Sequence, residues 1–134
     1  MAVSVLERLN AAMNARDLDA LLECFDEDYR SEQPAHPDRG FGGREQVRAN
    51  WSQIFDGVPD FGSELVRTAE AGDAIWSEWH WQGTREDGTP LDMAGVIVCG
   101  ISDDRLRWAR LYIEQVEREG AGIDAAVRRM AGRD

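Results

Sequence analysis

The chain has no lysine: its fifteen Lys+Arg positions are all arginine. That excludes Schiff-base chemistry and a Walker-type phosphate lysine. Cysteine and histidine are scarce, with two of each. Cys24 and Cys99 stand far apart without a C-x-x-C spacing. They read as small buried apolar residues rather than as a disulfide or a nucleophile. With His36 and His80 as the only imidazoles and no Cys/His cluster, the sequence supports no metal site and no cofactor. No apolar run approaches the roughly 18 residues of a membrane span. The opening stretch MAVSVLERLNAAMNARDLDA carries charges inside its apolar run, unlike a signal peptide, so a cytoplasmic location is expected. Positive charge is outweighed: 26 carboxylates leave a net charge of −11. No basic face is available for phosphates, and neither nucleic acid nor an anionic membrane is an expected partner. The acidity reads as solubility.

What is present suits one domain of 134 residues, 43% of them hydrophobic, enough to bury a core. The core is expected over about 3–116, with 117–134 as a C-terminal extension. SVLERLNAAMNA places Val5, Leu6, Leu9, Ala12 and Met13 on one helical stripe. Asp17 is an N-cap for a short second helix, LDALLECF. Tyr29 to Pro34 reads as a short strand ended by proline. DRGFGG reads as a loop, and GREQVRANWSQIF as a third helix with Val47, Trp51, Ile54 and Phe55 on one face. After the breaker DGVPDFG the period becomes two. ELVRTAE, AIWSEWHWQGT, PLDMAGVIVCGI and RLRWARLYIEQVE read as four strands joined by hairpin turns. REGAGIDAAVRRMAG is a weak amphipathic closing helix. Helices first and a hairpin-connected sheet later give an α+β fold, with about three helices over the concave face of a curved, mostly antiparallel sheet. A cone closed in this way is a usual small-molecule site.

Alternation separates the two sheet faces. Ile75, Ser77, Trp79 and Trp81 share one face with Met93, Gly95, Ile97, Cys99, Ala109, Leu111 and Ile113. These should lie under the helices. The other face collects Trp76, Glu78, His80, Gln82, Ala94, Val96, Val98, Trp108, Arg110, Tyr112 and Glu114. It is too apolar to face water comfortably, and it is rich in residue types that anchor interfaces. A homodimer through Trp76, Glu78, His80, Trp108, Arg110 and Tyr112 is expected, with Glu78, His80 and Arg110 in an interfacial ion network. The alternative is that the closing helix covers this face within one chain.

The order helix, helix, short strand, helix, four strands resembles the nuclear transport factor 2-like superfamily, and in particular its SnoaL-like, polyketide cyclase-like branch. The resemblance runs from about Leu6 to Gln115. It is carried by LNAAMNARDLDALLECFDEDY, GFGGREQVRANW, VPDF, IWSEWHWQGT and DRLRWARLYIE in that order. It implies a cone-shaped pocket and, commonly, dimers through the outer sheet face. The superfamily includes ketosteroid isomerases, polyketide cyclases, dehydratases, epoxide hydrolases and non-catalytic members, so the fold alone assigns no function. The isomerases need a carboxylate base, with a tyrosine and a neutral aspartic acid to hold an oxyanion. Those positions match Leu9 for the tyrosine, Gln33 for the base and a place near Ile97 for the acid, so all three roles are empty. The cyclases' acidic residue near the end of the last strand corresponds loosely to Glu114, which alternation puts on the outer face.

Candidate ligand-binding residues are Tyr29, Gln33, His36, Asn50, Trp51, Ser77, Trp79, Trp81 and Ile97. His36, between Pro34 and Pro37 at the expected cavity mouth, is the sole and weak catalytic candidate, as a general base; otherwise it is a solvated loop histidine. Gln33 can orient a ligand carbonyl or bond nearby backbone. The indoles of Trp79 and Trp81 can stack on a flat ligand or pack the core. Asn10 and Asn14 are weaker polar candidates. GFGG at 40–43 leads into a helix N-terminus, where an anion could bind, but it lacks G-x-G-x-x-G and reads as a turn. Three readings follow: a pocket for a small apolar or aromatic molecule, a cofactor-independent cyclase, isomerase or dehydratase using His36, or a structural module whose cavity is filled. An open cavity with His36 in solvent favours the first. An open cavity with His36 aimed inward favours the second.

Overall fold

The computed structural model describes residues 2–133. Its elements are α1 (Ala2–Ala15), α2 (Leu18–Glu23), β1 (Phe25–Glu32), β2 (Phe41–Gly42), α3 (Arg44–Gly57), β3 (Gly62–Ala71), β4 (Ala74–Thr84), β5 (Pro90–Ser102), β6 (Arg105–Gln115) and α4 (Ile123–Met130). The six strands form one sheet in the order β2-β1-β6-β5-β4-β3. All neighbours are antiparallel except β1 and β6, which run parallel. Among the described residues no helix is long and apolar enough to cross a membrane.

Local chemistry sets most boundaries. The α1 stripe Val5, Leu6, Leu9, Ala12 and Met13 is buried as its spacing requires. Asp17 caps α2 by accepting from the Ala20 N–H at 3.1 Å. The β5–β6 turn is Asp103-Asp104, both at positive φ (52° and 59°), which matches a two-residue hairpin to the strand twist. At the far end, Asn14 clamps α1 to β3: its side chain donates to the Ser63 carbonyl at 2.9 Å and accepts from the Ser63 N–H at 2.7 Å. Arg16, itself at φ 56°, donates to the Val58 and Phe55 carbonyls and so ties α1 to the end of α3.

Three stretches depart from the sequence expectation. The first strand begins at Phe25, not Tyr29, and α2 stops at Glu23. The parallel pairing explains this: the Cys24 carbonyl accepts from Leu106 N–H at 2.8 Å and draws the chain into the sheet early. The strand ends at Glu32, before Pro34. DRGFGG is not a plain loop. A 3-10 turn, Pro37–Arg39, leads into β2, which pairs with Arg30 and Ser31 of β1. The closing helix forms, but it buries no residue and covers no face. Ile123 and Met130 are 77% and 81% exposed.

The sheet is bent where its ladder is irregular. Register shifts fall in β1/β6, in β3/β4 between Leu65 and Arg67, and in β5/β6 between Gly100 and Ile101. At its centre Gly95 lies between Trp79 and Ile113. There is no room for a side chain: a Cβ on Gly95 would sit 2.1 Å from the Tyr112 carbonyl oxygen. The core lies between the concave side of this sheet and helices α1 to α3.

Candidate functional site

The cone encloses a cavity of about 340 Å³. One wall is aromatic. Trp51 of α3 packs edge-on against Phe61 at 5.4 Å and against Trp81 of β4 at 5.5 Å between ring centroids. The opposite wall is Phe25, Tyr29 and Phe41, with Tyr29 4.8 Å from Phe25 and 6.1 Å from Phe41. The floor comes from inner positions of β5 and β6, including Met93, Ile97, Ala109 and Ile113. Strand alternation puts these residues inside. β4 buries Ile75, Ser77, Trp79 and Trp81 in strict alternation with Trp76, Glu78, His80 and Gln82.

Most of the polar lining lies towards the end of β1 and the turn after it: Tyr29, Ser31, Gln33 and Arg39, with Asn50 on α3. Arg39 Nη1 donates to Gln33 Oε1 at 3.2 Å. Gln46 donates to Asn50 Oδ1 at 2.9 Å. The Trp81 indole N–H is buried and has no partner. Burial pushes the Tyr29 phenol up to about 12, against a weaker opposing hydrogen bond from Ser31. At neutral pH it is therefore a donor and not a base. Among the described residues no Asp, Glu, His or Cys lines the cavity.

Of the nine sequence candidates, Tyr29, Gln33, Asn50, Trp51, Trp79, Trp81 and Ile97 line this space. Ser77 and His36 do not. Ser77 is on the expected face but fully buried beneath it. Its hydroxyl accepts from Trp79 Nε1 and donates to the Ile97 carbonyl, both at 2.8 Å, so its one proton is spent and burial keeps its oxygen from a ligand. Thus Trp79 presents only its apolar surface. His36 is not among the cavity's lining residues and pairs with Glu114 through Nε2 and Oε1, both side chains part-exposed. The two residues singled out for acid–base roles meet each other outside the cone. Of Asn10 and Asn14, neither lines the cavity: Asn14 forms the clamp to β3, and Asn10 Oδ1 is buried without a partner.

On the outer face, Glu78, His80 and Arg110 each have a partner within the chain. Glu78 pairs with Arg67 at 2.9 Å and His80 with Asp92 at 2.7 Å, while Arg110 pairs with Glu32 at 3.5 Å and lies over the Trp108 ring. Each partner comes from an adjacent strand, not from among the three themselves. Hydrogen bonds from His80 and Arg118 hold the Asp92 carboxyl below its usual range. Trp76 and Tyr112 remain half exposed.

Arg39 and Phe41 are lining residues that sequence reasoning missed. Ser31 lines the cavity as its alternation with Tyr29 and Gln33 on the strand leads one to expect. Arg39 had no such signal, because its direction is set by the 3-10 turn and by β2. Among the described residues no group of three His, Cys, Asp or Glu is placed to hold a metal ion.

The buried acids give one prediction for solution work. Burial also pushes the Cys99 thiol up to about 12 and raises Cys24. Their unfolded counterparts ionise near 9, and the Tyr29 phenol near 10. The stability these groups contribute is complete below pH 9 and is lost as pH rises from 9 through 12. Because the chain has no lysine, few other side chains titrate in that window. The urea midpoint is expected to hold to about pH 9 and then fall, as the unfolding free energy drops by roughly several kcal/mol in total. At pH 8 neither thiol should react with a disulfide reagent until the protein is unfolded. An unchanged midpoint up to pH 11.5 would show that water reaches these groups.

A family model described as a SnoaL-like domain matches residues 6–110. No curated protein matches the chain. Solved structures are similar at the level of fold. IdmH from Streptomyces antibioticus, a proposed polyketide cyclase, superposes with a TM-score of 0.73 at 19% identity, over 85% of this chain and 92% of that one. An LEH-like epoxide hydrolase from M. tuberculosis gives 0.72 at 17%, over 84% and 82%. A Catenulispora acidiphila protein with a ketosteroid isomerase-like fold, bound to trimethylamine, gives 0.68 at 17%, over 79% and 82%.

Proposed function

Because the chain belongs to the SnoaL-like domain family, we propose that its cone takes up a small, largely apolar, flat molecule and holds it without covalent chemistry. The observation that carries this reading is the open cavity of about 340 Å³, walled by indole, phenyl and aliphatic groups, with its few polar side chains grouped mainly at one end. Volumes of this order suit small ligands. Trp51 and Trp81 offer ring faces and edges for stacking.

The cyclase, isomerase or dehydratase reading needs a proton acceptor beside the bound molecule. Gln33 occupies the position where the related isomerases keep their base, and His36 is committed to Glu114 outside the cavity. Tyr29 can polarise a carbonyl, but among the described residues no carboxylate or imidazole lines the space to remove a proton. The binding reading is therefore favoured.

The partner is a second copy of the chain. Half-exposed Trp76 and Tyr112 on the outer sheet face are costly in water, and α4 does not cover them. Native mass spectrometry of protein purified from its own host tests both parts. The expected species is a dimer carrying an extra mass that leaves on denaturation. A monomer at micromolar concentration would remove the interface. Failure of the protein to retain a native molecule or to take up any flat aromatic probe would remove the pocket reading.

A further inference from the structure

We propose that the molecule held in the cone has a carboxylate-type anionic head on an apolar body, and that Arg39 reads that head. This rests on the cone being a ligand cavity. In a chain with a net charge of −11, no carboxylate among the described residues lines the cavity, and the one formally charged residue among them that does is Arg39. The acids nearby are turned elsewhere: Glu32 is paired with Arg110, and Glu114 with His36. Asp38 precedes Arg39 in the chain, yet among the described residues Arg39 makes no ion pair with it or with any other carboxylate.

Most of the remaining polar groups agree in sign. A guanidinium only donates, so the Gln33 oxygen must face Arg39, which leaves the Gln33 NH2 as a free donor. The Asn50 oxygen accepts from Gln46, so its NH2 is free as well. Trp81 contributes the unpaired indole N–H in the wall, and Tyr29 stays protonated. Apart from the Ser31 hydroxyl, which can both donate and accept, the unspent hydrogen-bonding capacity of the cavity is therefore donor capacity. A carboxylate is an acceptor-only group whose two oxygens match the guanidinium fork. An ammonium or a hydroxyl-rich head would find few acceptors there.

The test compares two probes of nearly equal shape, 2-naphthoate and 2-naphthamide, by calorimetry or by quenching of tryptophan fluorescence. A hydrogen-bonded charge changes affinity by about tenfold or more. Wild-type protein is expected to bind the naphthoate at least about tenfold more tightly than the amide. Arg39→Gln should abolish that preference by weakening naphthoate binding more than amide binding. Arg39→Lys, which keeps the charge without the fork, should keep part of the preference. Arg39 is exposed, so both variants should fold, and circular dichroism checks this. Equal affinities in the wild type, or a preference that survives Arg39→Gln, overturn the assignment of Arg39 while amide binding leaves the cavity reading standing. If neither probe binds, both readings fall.

Discussion

Gly95→Ala is expected to lower the melting temperature by about 10 °C or more, on the order of 3 kcal/mol for a domain of this size. Gly95 has φ 157°, and a Cβ there would lie 2.1 Å from the Tyr112 carbonyl oxygen and 2.7 Å from Ile113 Cα. Both are backbone atoms of the neighbouring strand, so no side chain can swing aside to make room. The strand must move, and with it the row Trp79–Gly95–Ile113 at the centre of the sheet. The variant should therefore lose cavity binding as well as stability, since β5 and β6 provide the floor. Gly57→Ala serves as a control. It sits at the last turn of α3 with nothing within 4 Å of its added methyl, and should be neutral or slightly stabilising. If Gly95→Ala melted with the wild type, the bend at this position would be plastic and not imposed by backbone contact.

Ala109→Phe is expected to reduce uptake of a neutral flat probe such as 2-naphthamide by about a hundredfold or more, close to abolition. Ala109 is a buried inner-face residue of β6 and lines the cavity. It pairs across the sheet with Cys99 on one side and Ser31 on the other, so a benzyl group added there enters the space a ligand would fill. Overpacking costs about 1–3 kcal/mol, which a domain with 5–15 kcal/mol of stability survives. Calorimetric titration of the folded variant, with its melting curve alongside, separates blocked binding from unfolding. A variant that folds and binds as the wild type does would mean that the probe sits elsewhere than the cone.

The strand faces were legible because a β-strand exposes its side chains with a strict period of two. Ile75, Ser77, Trp79 and Trp81 could be placed on the inner face from four letters and their spacing. Depth on that face was not legible. Ser77 and Trp81 share it, yet the Ser77 hydroxyl is consumed by Trp79 and the Ile97 carbonyl, while the Trp81 N–H is left without a partner. That difference depends on which neighbour each polar atom meets across the sheet. The outer face gave the same lesson. Glu78, His80 and Arg110 lie on it as expected, but their partners are Arg67, Asp92 and Glu32. The register shift between Leu65 and Arg67 brings Arg67 opposite Glu78, and no local pattern announces a bulge.

By itself, then, the sequence determined the helix stripes and the strand faces, which follow from period, turn chemistry and residue type, all local properties; the family came from the order and spacing of its segments. Only the tertiary structure decided that the cavity is open, that His36 and Glu114 spend themselves on each other, and that Arg39 stands at the cavity with no acid beside it. Those outcomes depend on pairs of residues brought together by the parallel contact of β1 with β6 and by the 3-10 turn after β1. His36 and Glu114 are 78 positions apart, and periodicity along a chain carries no information about contact at that distance.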